Sequence, residues 1–157
     1  MAGRREPHIR RAVPGDARAL ARLRYEFRSE IAPPVELEAK FVARCARWMA
    51  ARLRRRGAWR CWVVEDADGE LIGSAWLQLI EKLPNPVAEA ELHGYITNLY
   101  LRASHREQGI GSRLLGALLA ECDRESVDAA ILWPTPRSRS LYQRNGFAVR
   151  DDLLERR

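Results

Sequence analysis

The sequence predicts an α+β fold over residues 7–157, a single domain in which helices flank one central mixed, mostly antiparallel sheet. Three observations carry this. In "AWRCWVVEDADGELIGSAWLQLI" two apolar runs hinge on "DADGE", and Asp-Gly between strand-like segments is a strong hairpin signal. The stretch "LHGYITNLYLR", rich in Tyr, Ile and Thr, is long enough to cross a sheet. Beyond it, helix-period apolar residues followed by the compact run "VDAAILW" form a strand, helix, strand unit, which adds a parallel crossover.

Taken in order, "HIRRAV" opens as a short strand, Pro14-Gly15 breaks it, and Asp16 stands as N-cap of a first helix with Leu20, Leu23 and Phe27 at helical spacing. After "APP", residues 36–56 place Phe41, Cys45, Trp48, Met49 and Leu53 on one face. Arg44, Arg47, Arg52, Arg54, Arg55 and Arg56 lie around the rest, and Gly57 stops this basic helix. The hairpin follows, then a loop over "EKLPNPVAEAE", then the long strand. From Gly109, the residues Ile110, Leu114, Leu115, Leu118, Leu119 and Cys122 keep a helix period up to "VDAAILW". Thr135 caps a last helix with Pro136 at its favoured first position, and Asn145-Gly146 ends it before the strand-like "FAV". The predicted order is β α α β β β α β α β.

Composition narrows the class. The chain has 157 residues, 46% apolar and 31% charged, as expected of a globular protein with a real core. No apolar run approaches the roughly 20 residues that cross a bilayer, and "MAGRREPHIRRAV" lacks the apolar centre of a signal peptide, so the expected location is cytoplasmic, with no membrane partner. Cys45, Cys61 and Cys122 are odd in number and scattered, and His8, His93 and His105 are isolated, so no disulfide framework and no metal site are expected. The net charge is +6, but Lys40 and Lys82 are the sole lysines; Arg with Ala richness is accounted for by coding bias, which weakens the case for a nucleic-acid partner, and none is expected. A phosphate-bearing ligand remains compatible with that charge.

The stretch "SHREQGIGSRLL" places Arg106, Glu107, Gln108, Gly109, Ile110 and Gly111 at a helix N-terminus, with Ser112 just inside. Free N–H groups and the positive end of the helix dipole suit an anion there. Gly109 and Gly111 remove Cβ atoms from its path, and Arg106 can add a charge-assisted fork. Equally, Gly109 can serve the turn and Gly111 close helix–sheet packing. Leu114 stands where a dinucleotide fingerprint wants a third glycine, and Gly-Lys-Ser/Thr is absent, so neither NAD nor ATP is supported.

At these residues the sequence resembles the GNAT family of acyl-CoA-dependent N-acetyltransferases. The family loop [Q/R]-x-x-G-x-[G/A] is matched by Arg106-Glu107-Gln108-Gly109-Ile110-Gly111, and its L-Y-x-x-x-G-F signature by Leu141-Tyr142-Gln143-Arg144-Asn145-Gly146-Phe147. The resemblance implies a GNAT-like sheet splayed at the cofactor site and acetyl-CoA as co-substrate, without a metal. It implies that the pyrophosphate binds the N–H groups around residues 106–111 and that the pantetheine arm pairs with Leu99, Tyr100 and Leu101. The strand holding these splays from the next near "ILWP", where Pro134 has no N–H to pair. The Leu99 amide then stabilises an oxyanion at the thioester carbon, and Tyr142 gives a proton to the departing thiolate. Arg139, one turn earlier, is a candidate to lower the Tyr142 pKa, and equally a solvated helix residue. Thr135 occupies the position of the family's frequent asparagine, so its hydroxyl replaces that contact or the contact is lost; Ser138 stands for a frequent alanine. The ten residues after Phe147 leave room for an abbreviated end to the sheet.

A neutral amine needs a base or a water chain. Glu89, Glu91 and His93 are candidates, with Tyr95 positioning a water, and Glu91 is the first choice because alternation puts it on one face with His93 and Tyr95. The expected partner is a small-molecule amine. Two alternatives stay open: acceptors that are aminoacyl-tRNA or protein amines on the Arg-rich helix, and a silent acyl-CoA-binding module on the same fold. The family resemblance also allows a homodimer.

Overall fold

In the computed structural model, residues 6–54 and 56–157 are described; Arg55 of the basic helix face and the first five residues of the N-terminal stretch lie outside them. Five strands, β1 (His8–Arg11), β2 (Trp59–Glu65), β3 (Leu71–Glu81), β4 (Leu92–Leu101) and β5 (Ala129–Ile131), form one sheet in that order. Successive pairings are antiparallel up to β4, and β4 and β5 run parallel. Helices α1 (Ala17–Ile31) and α2 (Glu38–Leu53) lie between β1 and β2 in the chain. Helix α3 (Ile110–Arg124) makes the crossover from β4 to β5, and α4 (Arg139–Arg144) follows.

Side-chain alternation explains the layering. In β2, Cys61 and Val63 face a cluster with Leu20 and Leu23 of α1 and Val42 and Met49 of α2. Trp62 and Val64 face the opposite cluster, built on Leu114, Leu115 and Leu118 of α3 with Ile72, Leu77 and Ile96. The central strands are therefore covered on both sides, which is why they read as nearly continuous apolar runs. The hairpin closes as its sequence dictates: Asp66 Oδ1 accepts from the Asp68 and Glu70 N–H groups at 3.0 and 2.9 Å, and Gly69 takes φ +82°. None of the described helices is long and apolar enough to cross a membrane.

Four local expectations are corrected. Asp16 does not cap α1 with its side chain: Oδ2 turns back to the Val13 N–H at 2.8 Å, where it also meets Arg10, and so closes the preceding 3-10 turn. Helix α2 stops at Leu53, before Gly57, because the chain must leave it in time for Trp59 to enter the sheet and pack on Trp48 and Trp76, at 5.2 and 6.0 Å. The last helix starts at Arg139 with Ser138 at its N-cap; the Thr135 hydroxyl is held by Ser138 Oγ at 3.0 Å in the turn before it. "FAV" forms no strand: Phe147 packs on Tyr142 at 5.6 Å, but β5 has only three residues to template a further edge, and Val149 is exposed.

Candidate active site

The site begins with a fault in β4. Ser74 faces Tyr100 and Trp76 faces Thr97, so Ala75 alone stands opposite Asn98 and Leu99, which have no partner of their own in the β3 register. This is a bulge, and Asn98 takes φ +54° to make it. The extra residue reverses the alternation: Ile96 faces α3, yet so do Leu99 and Leu101, while Tyr100 joins the α1 side. On the other edge, pairing of β4 with β5 ends at Tyr95 and Ile131. Beyond that pair the sheet parts, opening a cleft of about 830 Å³ between α1, β4, the loop before α3, and α4.

At one end lies the helix N-terminus anticipated for an anion. Gly109 takes φ +76° as N-cap of α3, and the first bond of the helix runs from Arg113 N–H to the Gly109 carbonyl at 3.2 Å. The N–H groups of Ile110, Gly111 and Ser112 thus precede the ladder. A Cβ on Gly111 would meet only the Leu141 side chain at 3.6 Å, so packing does not demand glycine there. Glu107 takes φ +62°, left-handed backbone stored in a functional loop. An open donor row with space in front of it suits a phosphate.

Opposite this cradle, Tyr142 is 7% exposed, and burial alone pushes its pKa up to about 12. Arg139 is exposed and contributes nothing to that shift: it is a solvated helix residue and does not lower the Tyr142 pKa. At the far end, Tyr95 packs edge-on against Trp133 at 5.4 Å and donates to Thr97 Oγ1 at 3.3 Å.

The lining is strongly cationic. Arg24, Arg28, Arg106, Arg137 and Arg144 reach it, against Glu107 as its one carboxylate among the described residues. Glu30, just outside, accepts from Tyr100 Oη at 2.7 Å, Arg106 Nη2 at 2.9 Å and Arg137 Nη2 at 3.3 Å. Burial works to raise its pKa, but these three donors outweigh burial and hold it below the ordinary value. Burial and the Glu30 hydrogen bond together push Tyr100 well above the ordinary tyrosine range.

Of the residues singled out in the sequence, Leu99, Tyr100, Leu101, Arg106, Glu107, Gly109, Gly111, Ser112, Thr135 and Tyr142 line this one cleft. Gln108 does not; its amide reaches the Ser104 carbonyl at 3.4 Å. Ile110 buries its side chain in the core and offers only its backbone. Glu91 is also placed elsewhere. It lies just before β4, exposed, with Oε1 accepting from Asn85 N–H at 3.1 Å, and Glu89 pairs with Lys82. The cleft opens only past Tyr95, about 13 Å further along the strand from Glu91. His93 lies upstream of the opening as well, with Nδ1 buried and unpartnered. Arg24, Asn98, Trp133 and Arg137 line the cleft without having been anticipated.

Comparison with known proteins bears on the same regions. The model of the acetyltransferase (GNAT) family matches residues 20–147. A search of curated proteins finds no match. Among solved structures, a predicted acetyltransferase with acetyl-CoA from Clostridium acetobutylicum is 23% identical, with TM-score 0.77 over 97% of this chain and 96% of that one. A GCN5-related N-acetyltransferase from Ralstonia eutropha JMP134 is 26% identical, with TM-score 0.73 over 96% and 98%. A ribosomal-protein-alanine N-acetyltransferase from Brucella melitensis biovar Abortus 2308 is 21% identical, with TM-score 0.70 over 97% and 99%. With a family match that spans the bulged strand, the glycine cradle and Tyr142, the chain belongs to the GNAT acetyltransferase family.

Proposed function

We propose that this chain transfers an acetyl group from acetyl-CoA to a primary amine by direct attack in a ternary complex. The observation that carries the reading is convergence: the open N-terminus of α3 at Gly109–Ser112, the unpaired register positions Asn98 and Leu99, and buried Tyr142 all meet one cleft. The N–H groups of Ile110, Gly111 and Ser112 would hold the phosphates, and the free edge of Leu99–Leu101 the pantetheine arm. Bound acetyl-CoA supplies a thioester carbon to which the amine bonds as the C–S bond breaks. The Leu99 N–H donates toward the carbonyl oxygen as it gathers charge.

Tyr142 keeps its own proton. Against a thiol reference of about 8.5, a phenol at about 12 makes full transfer uphill by about 3.5 units, or about 5 kcal/mol. Its role is therefore hydrogen-bond donation to the departing sulfur. The ammonium proton of the acceptor leaves by water along Tyr95 and Thr97, since neither Glu89 nor Glu91 lines the cleft, and the second nitrogen proton, shed as the amide forms, passes by the same water to the departing thiolate.

The test is CoA release on a panel of primary amines, with mass spectrometry of the products. One acetylated amine per CoA released, with intersecting double-reciprocal lines, supports the reading. Tight acetyl-CoA binding without acylation of any amine refutes it in favour of a silent binding module, and parallel lines refute direct attack.

A further inference from the structure

Among the described residues no carboxylate balances the charge of Arg24. This residue sits on the cleft-facing stripe of α1 with Phe27, Arg28 and Ile31, at helical spacings of three and four. Its hydrogen bond among the described residues is Nη1 to Asn98 Oδ1 at 3.0 Å, a neutral acceptor. The two carboxylates on its own helix are committed elsewhere: Glu26 pairs with Arg102, and Glu30 with Arg106 and Arg137. Arg28, one turn on, has no carboxylate partner among the described residues and adds a second guanidinium to the same wall. The Asn98 amide, at the bulge itself, has Nδ2 buried without an acceptor. Burial, followed by repulsion from Arg28, holds the Arg24 pKa below the ordinary value. A half-buried guanidinium facing a second one is costly unless an anion completes it.

We propose that the acceptor carries an anionic group, carboxylate or phosphate, close to its amine, and that Arg24 and Arg28 bind that group while Tyr95 and Trp133 wall the space beside it. The inference rests on the acetyl-transfer reading for the identity of the second substrate. It also gives the cationic cleft a consistent use: its arginines would repel a simple ammonium, and an anionic group on the acceptor restores the attraction. A guanidinium fork suits both oxyanions.

The experiment compares matched acceptors: phenylalanine with phenylalaninamide, glycine with glycinamide, and O-phosphoethanolamine with ethanolamine. Expected is a kcat/KM at least about 30-fold higher for one charged class, since a charged hydrogen-bonded contact contributes about 2 kcal/mol. Preference for the amino acids assigns a carboxylate, and preference for O-phosphoethanolamine a phosphate. Arg24→Met should bring the ratio close to one, Arg24→Lys should keep part of it, and the acetyl-CoA KM should hold in both. Equal rates on charged and neutral partners, or an equal fall on both in Arg24→Met, would overturn the proposal. Calorimetry of N-acetylphenylalanine and its amide on the CoA-saturated protein separates the two readings. Arg24-dependent preference for the acid without turnover on any amine sinks acetyl transfer and keeps the anion site. Turnover with no preference in rate or binding does the reverse.

Discussion

The Glu30 carboxylate, in the last turn of α1, accepts from the Arg106 guanidinium at 2.9 Å and so ties that helix to the loop in front of α3. Because Glu30 also takes Arg137, it occupies two of the five arginines that reach the cleft, which on the proposed reading are then withheld from the phosphates. Arg106 stays in place without it, since its Nε donates to the Leu101 carbonyl at 2.8 Å.

Glu30→Gln is therefore expected to tighten acetyl-CoA binding by about 2–5-fold at low salt, the range for partly exposed ion pairs. The gain should shrink as ionic strength rises. Calorimetry at two salt concentrations checks this. Weaker binding in the variant would mean that Glu30 presents Arg106 to the phosphates and does not compete with them.

Tyr142→Phe is expected to lower kcat by about 10–100-fold while the acetyl-CoA Kd changes less than about threefold. The pH profile adds a sharper check. A phenol whose pKa is pushed up to about 12 remains protonated across the ordinary assay range, so the wild-type rate should show no alkaline loss from Tyr142 below about pH 11. A wild-type alkaline limb near pH 9 that vanishes in the variant would contradict the burial argument.

The two glycines should separate under mutation. Gly109 is left-handed, so Gly109→Ala strains the backbone by about 1–2 kcal/mol although nothing lies within 4 Å of the added Cβ. Gly111 has an ordinary helical conformation, and Gly111→Ala should stabilise α3 by about 0.5–1 kcal/mol with acetyl-CoA binding retained. Gly111→Leu should fold and fail to bind. Chemical denaturation with calorimetry on the three variants checks the pattern.

The contrast among these residues shows what was legible in advance. Gly109, Arg106 and Tyr142 announce themselves because local chain chemistry and two short motifs fix their places. Glu30 and Arg24 give no such signal: their partners lie 76 and 74 residues away, and a charged residue on an amphipathic helix reads the same whether it faces solvent or a cleft. Glu91 fails for a different reason. Alternation gives the face of a strand but not where along it the sheet opens, and that point is set by the end of pairing at Tyr95 and Ile131. The Asn98 bulge is likewise invisible, since an Asn inside "YITNLYL" breaks no pattern, yet it decides which side Leu99 and Tyr100 face. The missing last strand follows from the shortness of β5, a tertiary fact.

Away from the cleft, Glu121 of α3 is 4% exposed and gathers Arg11 of β1, Arg60 of β2 and Arg124 of its own helix, the first two at 3.2 Å. Burial works to raise its pKa, but Arg124, Arg11 and Arg60 outweigh that and hold it below the ordinary carboxylate range. A carboxyl with a depressed folded pKa adds stability in full above its unfolded value of about 4.3, and that stability is lost as pH falls through the folded value. Glu121→Ala removes the contribution and leaves Arg60, itself largely buried, with Glu125 at 3.3 Å as its remaining carboxylate, at a cost of about 2 kcal/mol near pH 7. Because the variant has no carboxyl there to protonate, its stability should fall less steeply than that of the wild type below about pH 4.5. Urea midpoints from pH 3 to 8 check both parts. A constant gap between the two proteins across that range would show that Glu121 acts through packing alone, with its charge making no difference.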